Sequence, residues 1–178
     1  MPNAIKMLES DHATVKKLLD ELEGTTSRGI KTRERLLGEI EMEVKIHSTL
    51  EEEIFYPAFR DAAEKKDDQQ LFFEATEEHH VVDLVLPELK STDPSTEQFG
   101  AKATVLKELI EHHVEEEESQ MFPKARKLLG AAALEDLGAR MKERKAALEA
   151  GWPALREATL GKATRARSRD SEREERRA

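Results

Sequence analysis

Four times along the chain, apolar residues recur at alternating steps of three and four, and in each stripe a histidine takes a place that the periodicity reserves for an apolar side chain. The first stripe is Ile5, Leu8, Val15, Leu19 and Leu22, with His12 filling its gap. The second is Leu37, Ile40, Val44, His47, Glu51 and Ile54, and the third is Phe72, Ala75, His79, Val82, Leu86 and Leu89. The fourth is Phe99, Ala103, Leu106, Ile110, His113 and Glu117. Such spacing keeps side chains on one face of an α-helix. It is also the seam along which helices pack nearly parallel or antiparallel. Short connections make sequence neighbours antiparallel. The expected fold is all-α, an up-down-up-down four-helix bundle.

Helix one is expected to start after a cap at Asn3 and to stop near Gly24, before the loop GTTSRG. Helix two runs from about Thr32 into the 60s, with Pro57 as a kink or interruption. Helix three covers roughly 68–91, and Pro87 marks a second kink. The segment STDPST reads as a loop that caps helix four, which spans about 95–129 with Pro123 near its end. Beyond Gly130, Leu134, Leu137, Met141 and Leu148 give the apolar face of an additional C-terminal helix, with Trp152 after it and a break at 151–153. That face would pack on the outside or end of the bundle, on a protein partner, or on a second copy of the chain. From 161 onward the sequence carries many charges and no large apolar residue, the composition of a disordered tail. The expected divisions are therefore 1–129, 130–160 and 161–178.

A net charge of −9 argues against nucleic acid as a partner, because neutralising phosphates needs a basic surface. There is no cysteine, which excludes disulfides, iron–sulfur clusters and thiol catalysis. No apolar run approaches the roughly 18–20 residues that span a bilayer. The opening MPNAIKMLES lacks the basic-then-apolar pattern of a signal peptide, so a cytoplasmic location is expected.

The second half of the chain repeats the first. Residues 11–22 (DHATVKKLLDEL) align with 78–89 (EHHVVDLVLPEL), pairing His12 with His79. Residues 47–60 (HSTLEEEIFYPAFR) align with 113–126 (HVEEEESQMFPKAR), pairing His47 with His113, Glu51 with Glu117 and Pro57 with Pro123. One helix pair cannot bury its own apolar face, so two copies about a pseudo-twofold axis make a bundle. The chain has six histidines, and His80 and His112 are direct neighbours of aligned ones. In each His-x-x-x-Glu pair, both side chains lie on one face, a turn apart. A polar group left alone in an apolar seam costs about 2–7 kcal/mol. Four imidazoles and two carboxylates meeting at one height are best reconciled with such a seam by coordinating cations, whose charge offsets the carboxylates.

Imidazole with carboxylate suits Fe, Mn or Zn rather than Ca or Mg. A ferritin-like centre, suited to iron storage or donation, would use Glu9-x-x-His12 and Glu77-x-x-His80. That choice takes His80 off its stripe and leaves both His-x-x-x-Glu pairs unused. The pattern His…His-x-x-x-Glu…His…His-x-x-x-Glu, with the segments HSTLEEEIFYP and HVEEEESQMFP, resembles the hemerythrin-like family, or HHE cation-binding domain, over roughly 5–128. The resemblance implies His12, His47, Glu51, His79, His113 and Glu117 as ligands of two non-haem irons, oxygen-bridged when oxidised. It implies O2, NO or peroxide as the small ligand, with binding or sensing and catalase-like turnover as the alternatives. Oxygen-carrying members have a further histidine where this chain has Asp83, and an aspartate one residue after the position of Glu117. Asp83 is expected at the surface, His80 and His112 at helix flanks, and Tyr56 in the packing of the bundle end. Of residues 115–118, only Glu117 is expected to point inward.

Overall fold

A computed structural model describes residues 3–154 in full, and all its elements are helical. Helix α1 is Ala4–Glu23, with the Asn3 side chain accepting the Lys6 N–H at its start. The second bundle helix has three parts: α2, Ile30–Leu50; a π-helical turn, Glu51–Phe55; and α3, Tyr56–Ala62. Helix α4, Lys66–Ser91, continues through Pro87 where the sequence suggested a kink. Helix α5, Glu97–Glu116, is capped by Thr96 and passes into a second π-helical turn, Glu117–Met121. The last element, α6, is Phe122–Glu175. The tail expected over 161–178 lies outside the residues described in full.

Both π turns are written in the sequence. Each begins at the glutamate of a His-x-x-x-Glu pair and ends just before a Tyr-Pro or Phe-Pro step. Proline has no N–H and clashes with the carbonyl four residues back, so an α-helix cannot continue undisturbed. Widening the turn by one residue relieves the clash, and the Tyr56 and Phe122 N–H groups bond to the Glu51 and Glu117 carbonyls instead. The kink expected at Pro57 takes this form, and the same turn precedes Pro123.

Helix α1 packs on α2 and α5, and α4 on α5 and α2, which is the antiparallel bundle. Two apolar clusters fill it. One joins Val15, Leu19, Leu36, Ile40, Leu86, Phe99 and Leu106 towards the end that holds the α1–α2 and α4–α5 loops. Arg33 closes that end, donating to the Thr25 hydroxyl and carbonyl and to the Pro94 carbonyl. The other joins Ile5, Leu8, Leu50, Phe55, Phe59, Phe122 and Leu134. Between the clusters lies the layer of His12, His47, Glu51, His79, His113 and Glu117, all buried. No helix among the described residues is long and apolar enough to cross a membrane.

At Gly130 the helix breaks, with φ 73° and ψ 171°, and the chain beyond it packs along the bundle. Leu134, Leu137 and Met141 are buried in the second cluster, so the accessory helix covers the bundle's own flank. The contrast between two glycines is testable. Gly130→Ala forces a side chain into a backbone region open essentially to glycine, and should cost about 1–3 kcal/mol. Gly151 is helical with open space about it, so Gly151→Ala should add about 0.5–1 kcal/mol. Urea midpoints moving in opposite directions are the expected result.

Candidate metal centre

The six side chains meet as two imidazole pairs joined by two carboxylates. His12 Nε2 and His47 Nε2 are 3.1 Å apart, and His79 Nε2 and His113 Nε2 are 3.2 Å apart. Glu51 Oε2 lies 3.2 Å from both His47 Nε2 and His79 Nε2, one nitrogen from each pair. Glu117 Oε2 does the same on the other side, 3.2 Å from His12 Nε2 and 3.6 Å from His113 Nε2. Each carboxylate thus spans the two pairs.

What lies behind the imidazoles sets their direction. His12 Nδ1–H donates to Glu118 at 2.9 Å, His79 Nδ1–H to Glu52 at 2.9 Å and His113 Nδ1–H to Glu78 at 2.7 Å. A carboxylate can only accept, so the proton sits on Nδ1 and the Nε2 lone pair faces inward. Two lone pairs about 3 Å apart repel unless a proton or a cation lies between them. Glu51 and Glu117 are 0% and 1% exposed, yet both Glu51 oxygens and Glu117 Oε2 make no hydrogen bond. Buried carboxylate oxygens without donors are costly. Inward lone pairs and unmet carboxylates are the donor set of a hard or borderline cation, and the residues fit a pair of them. His12, His47, Glu51 and Glu117 offer ligand atoms within 4.8 Å of one another, and so do Glu51, His79 and His113.

Without metal, protons take the cations' place. Burial works against a charged imidazole at His47, but Glu51, Asp11 and Glu117 outweigh it and push the pKa up to about 10. At His79 burial is again outweighed, by Glu51 and Glu52, and the pKa rises to about 9. Each pair then contains a charged imidazole, His47 in one and His79 in the other. Burial likewise works to raise the Glu51 carboxyl, yet His47 and His79 hold it well below the usual carboxylate range.

The structure adds to expectation at Tyr56. Its ring packs in the second cluster, as expected, and its hydroxyl also enters the site, donating to Glu117 Oε1 at 2.8 Å and lying 3.2 Å from His79 Nε2. Burial, then the charges of Glu117 and Glu51, hold the phenol well above its ordinary range, so it keeps its proton. Glu118 lies on a solvated face, as expected, and from there it supports His12. The supports Glu52, Glu78 and Glu118 were not singled out from sequence, although Glu52 and Glu118 occupy aligned positions in the repeat. Asp83 is at the surface, paired with Lys45, and His112 is exposed on a helix flank. On the side of the loop-end cluster, the four histidines, Ser48, Val15, Val44, Val82, Ile110 and Val114 line a partly open cavity of about 30 Å³. That volume suits a water molecule or a diatomic ligand.

A family model described as the hemerythrin HHE cation binding domain matches residues 3–125. Among solved structures, a hemerythrin HHE cation binding domain-containing protein from Mycobacterium kansasii superimposes with a TM-score of 0.76 at 28% identity. The match covers 88% of this chain and 93% of that one. Among curated proteins, a DNA nickase of Nostoc sp. strain PCC 7120 is 26% identical over 147 residues. These make up 83% of this chain, which spans only 40% of that relative's length.

The charged imidazoles predict how the metal-free chain responds to pH. Their pKa values lie above the ordinary 6.5, so their stabilisation is complete below about 6.5 and is lost as pH rises through about 9 to 10. The thermal midpoint of metal-free protein should fall between pH 7 and pH 10. Bound divalent metal, which displaces those protons, should remove the fall. A midpoint unchanged over that range in the metal-free protein would contradict the assignment.

Proposed function

The chain belongs to the hemerythrin HHE cation binding domain family, and from that premise we propose that it holds two non-haem irons and takes up a small oxygen- or nitrogen-containing ligand beside them. His12, His47, Glu51, His79, His113 and Glu117 would hold them, with Glu51 and Glu117 each in reach of both imidazole pairs. The observation that carries this reading is the pair of buried carboxylates, each set between one nitrogen of either imidazole pair and poor in hydrogen-bond donors. Bound there, the irons would supply one-electron redox steps and open coordination positions.

The protein's own part is to admit a ligand of the right size and refuse larger ones. Val15, Val44, Val82, Ile110 and Val114 wall the cavity with short, stiff side chains, leaving room for O2, NO or peroxide but not for an organic substrate. Glu52, Glu78 and Glu118 hold three imidazoles in one tautomer and make them stronger donors.

Ligand binding, for sensing or scavenging, is the first reading. Decomposition of peroxide to water and O2 is the second, and the Tyr56 hydroxyl favours it. A buried O–H within 3.2 Å of His79 Nε2 can deliver a proton to a reacting oxygen, with Glu117 holding it in place.

Iron per chain and optical spectra of oxidised, anaerobically reduced and re-oxygenated protein test both readings. About two irons per chain are expected, and His47→Ala with His113→Ala should abolish them. Full iron retention in that double variant would overturn the ligand assignment. A distinct oxygenated spectrum favours binding. Rapid O2 release from added peroxide that falls tenfold or more in Tyr56→Phe, at unchanged iron content, favours the enzyme.

A further inference from the structure

The pseudo-twofold symmetry of the six ligands is broken in what supports them. His113 and His47 occupy equivalent places, and the residues behind them, Glu78 and Asp11, are aligned in the repeat. Glu78 reaches His113 Nδ1 at 2.7 Å. Asp11 is one methylene shorter, and its nearest oxygen stands 3.8 Å from His47 Nδ1, beyond hydrogen-bond distance. Both Asp11 Oδ2 and His47 Nδ1 are buried without a hydrogen bond.

The accessory helix accounts for where Asp11 points. Lys145 donates to Asp11 Oδ1 at 2.6 Å. One residue earlier, Arg144 makes a two-pronged bond, at 2.7 and 2.8 Å, to Glu53 in the first π turn, two residues from Glu51. These contacts fall only on the half of the centre that contains His12, His47 and Glu51. The counterpart of Glu53 in the repeat is Ser119, which carries no charge for such a bond. Leu134, Leu137 and Met141 anchor the accessory helix in the core, so the ammonium is held in place rather than trailing in solvent.

We propose that Lys145, by drawing Asp11 away from His47, makes the two cation positions unequal, so that the His12–His47 position binds its ion more weakly than the His79–His113 position. The inference rests on the di-iron reading above. An imidazole whose far nitrogen donates to a carboxylate is a better ligand, fixed in tautomer and richer in electron density, and losing that partner costs typically about 10–100-fold in affinity. His79, His113 and His12 have such a hydrogen-bonded partner; His47 has only Asp11 standing off at 3.8 Å. The weaker position gives the chain one tightly held ion and one exchangeable ion. Lys145 lies beyond residues 3–125 that the family model matches, so the inequality is a property that this chain's accessory helix adds to the domain.

Removing the ammonium should return Asp11 to His47. Asp11 is 7% exposed and would be left as a buried charge; Glu43 beside it adds like-charge repulsion, and His47 Nδ1–H is an unused donor within reach. Lengthening the side chain does the same by a different route, since Asp11→Glu reproduces the Glu78 arrangement.

The test titrates the full-length, reduced, iron-loaded protein with graded chelator under anaerobic conditions and counts the iron remaining. The protein as it stands should lose its two irons in separate steps, at chelator concentrations differing about tenfold or more. In Lys145→Gln and in Asp11→Glu the two steps should approach one another, the weaker ion becoming tighter. A Lys145→Gln, Asp11→Ala double variant should keep the steps apart, because no carboxylate is left to move. Two irons lost together from the unaltered protein, or steps unmoved in both single variants, would overturn the inequality while leaving the di-iron reading intact. Absence of iron from the outset would overturn both.

Discussion

Two carboxylates buried in the middle of a helical bundle, with few donors to meet them, are the constraint around which this structure is arranged. Glu51 and Glu117 sit between two apolar clusters. A buried ion pair is seldom a source of stability, and a buried charge short of a partner never is. The chain holds both only because the four imidazoles lie at the same height. Their arrangement makes sense as one set: nitrogen lone pairs face inward, and three of four outer nitrogens are tied to carboxylates. Protons on His47 and His79 can occupy this set, and so can cations.

The backbone is shaped to the same end. Without the π turns, the residues after Glu51 and Glu117 would keep the ordinary helical phase, and the Tyr-Pro and Phe-Pro steps would clash. With them, each helix rotates by roughly one residue just past the ligand layer. Tyr56 and Phe122 then both face the site: Phe122 stacks on His12 with ring centres 5.6 Å apart, and Tyr56 lies tilted on His79 at 5.4 Å. Aromatic faces thus close the second-cluster side of the layer, while the valine-lined cavity stays open on the other. The repeat supplies the frame, and the single oxygen that separates tyrosine from phenylalanine makes the two halves chemically different.

The bundle and the six inward residues were legible in the sequence because burial leaves a period. His12, His47, His79 and His113 lie in phase with leucines and valines, and the repeat ties them into a set. The supporting carboxylates were not legible, because they sit one step off the stripe, among 38 acidic residues with nothing to distinguish them locally. Glu118 reads as one more solvated glutamate until the fold brings His12 against it from 106 residues away. The reach of the Tyr56 hydroxyl into the site was missed for a related reason. An unbroken α-helix sets its direction wrongly, and only the π turn, implied by Pro57 but not counted in the periodicity, swings it inward. The accessory helix was expected on the bundle or on a partner, and its leucines settle that it covers the bundle, whereas nothing local reveals that Lys145 reaches Asp11.

Symmetry and its loss play different parts here. A duplicated helix pair gives two equivalent sets of inward imidazoles and carboxylates, and equivalence is the economical way to build a site that would suit two like ions. Reactivity towards a small ligand is better served by inequality, since a ligand that must bind at one end needs one end to differ. The chain introduces that difference without touching a proposed ligand. A shorter carboxylate stands at Asp11, a hydroxyl at Tyr56, and a lysine arrives from a helix outside the repeat. Each change acts one contact away from the six residues, where the bundle tolerates variation that the buried layer does not. For this reason the character of this particular chain is to be sought in the residues that touch the layer from behind.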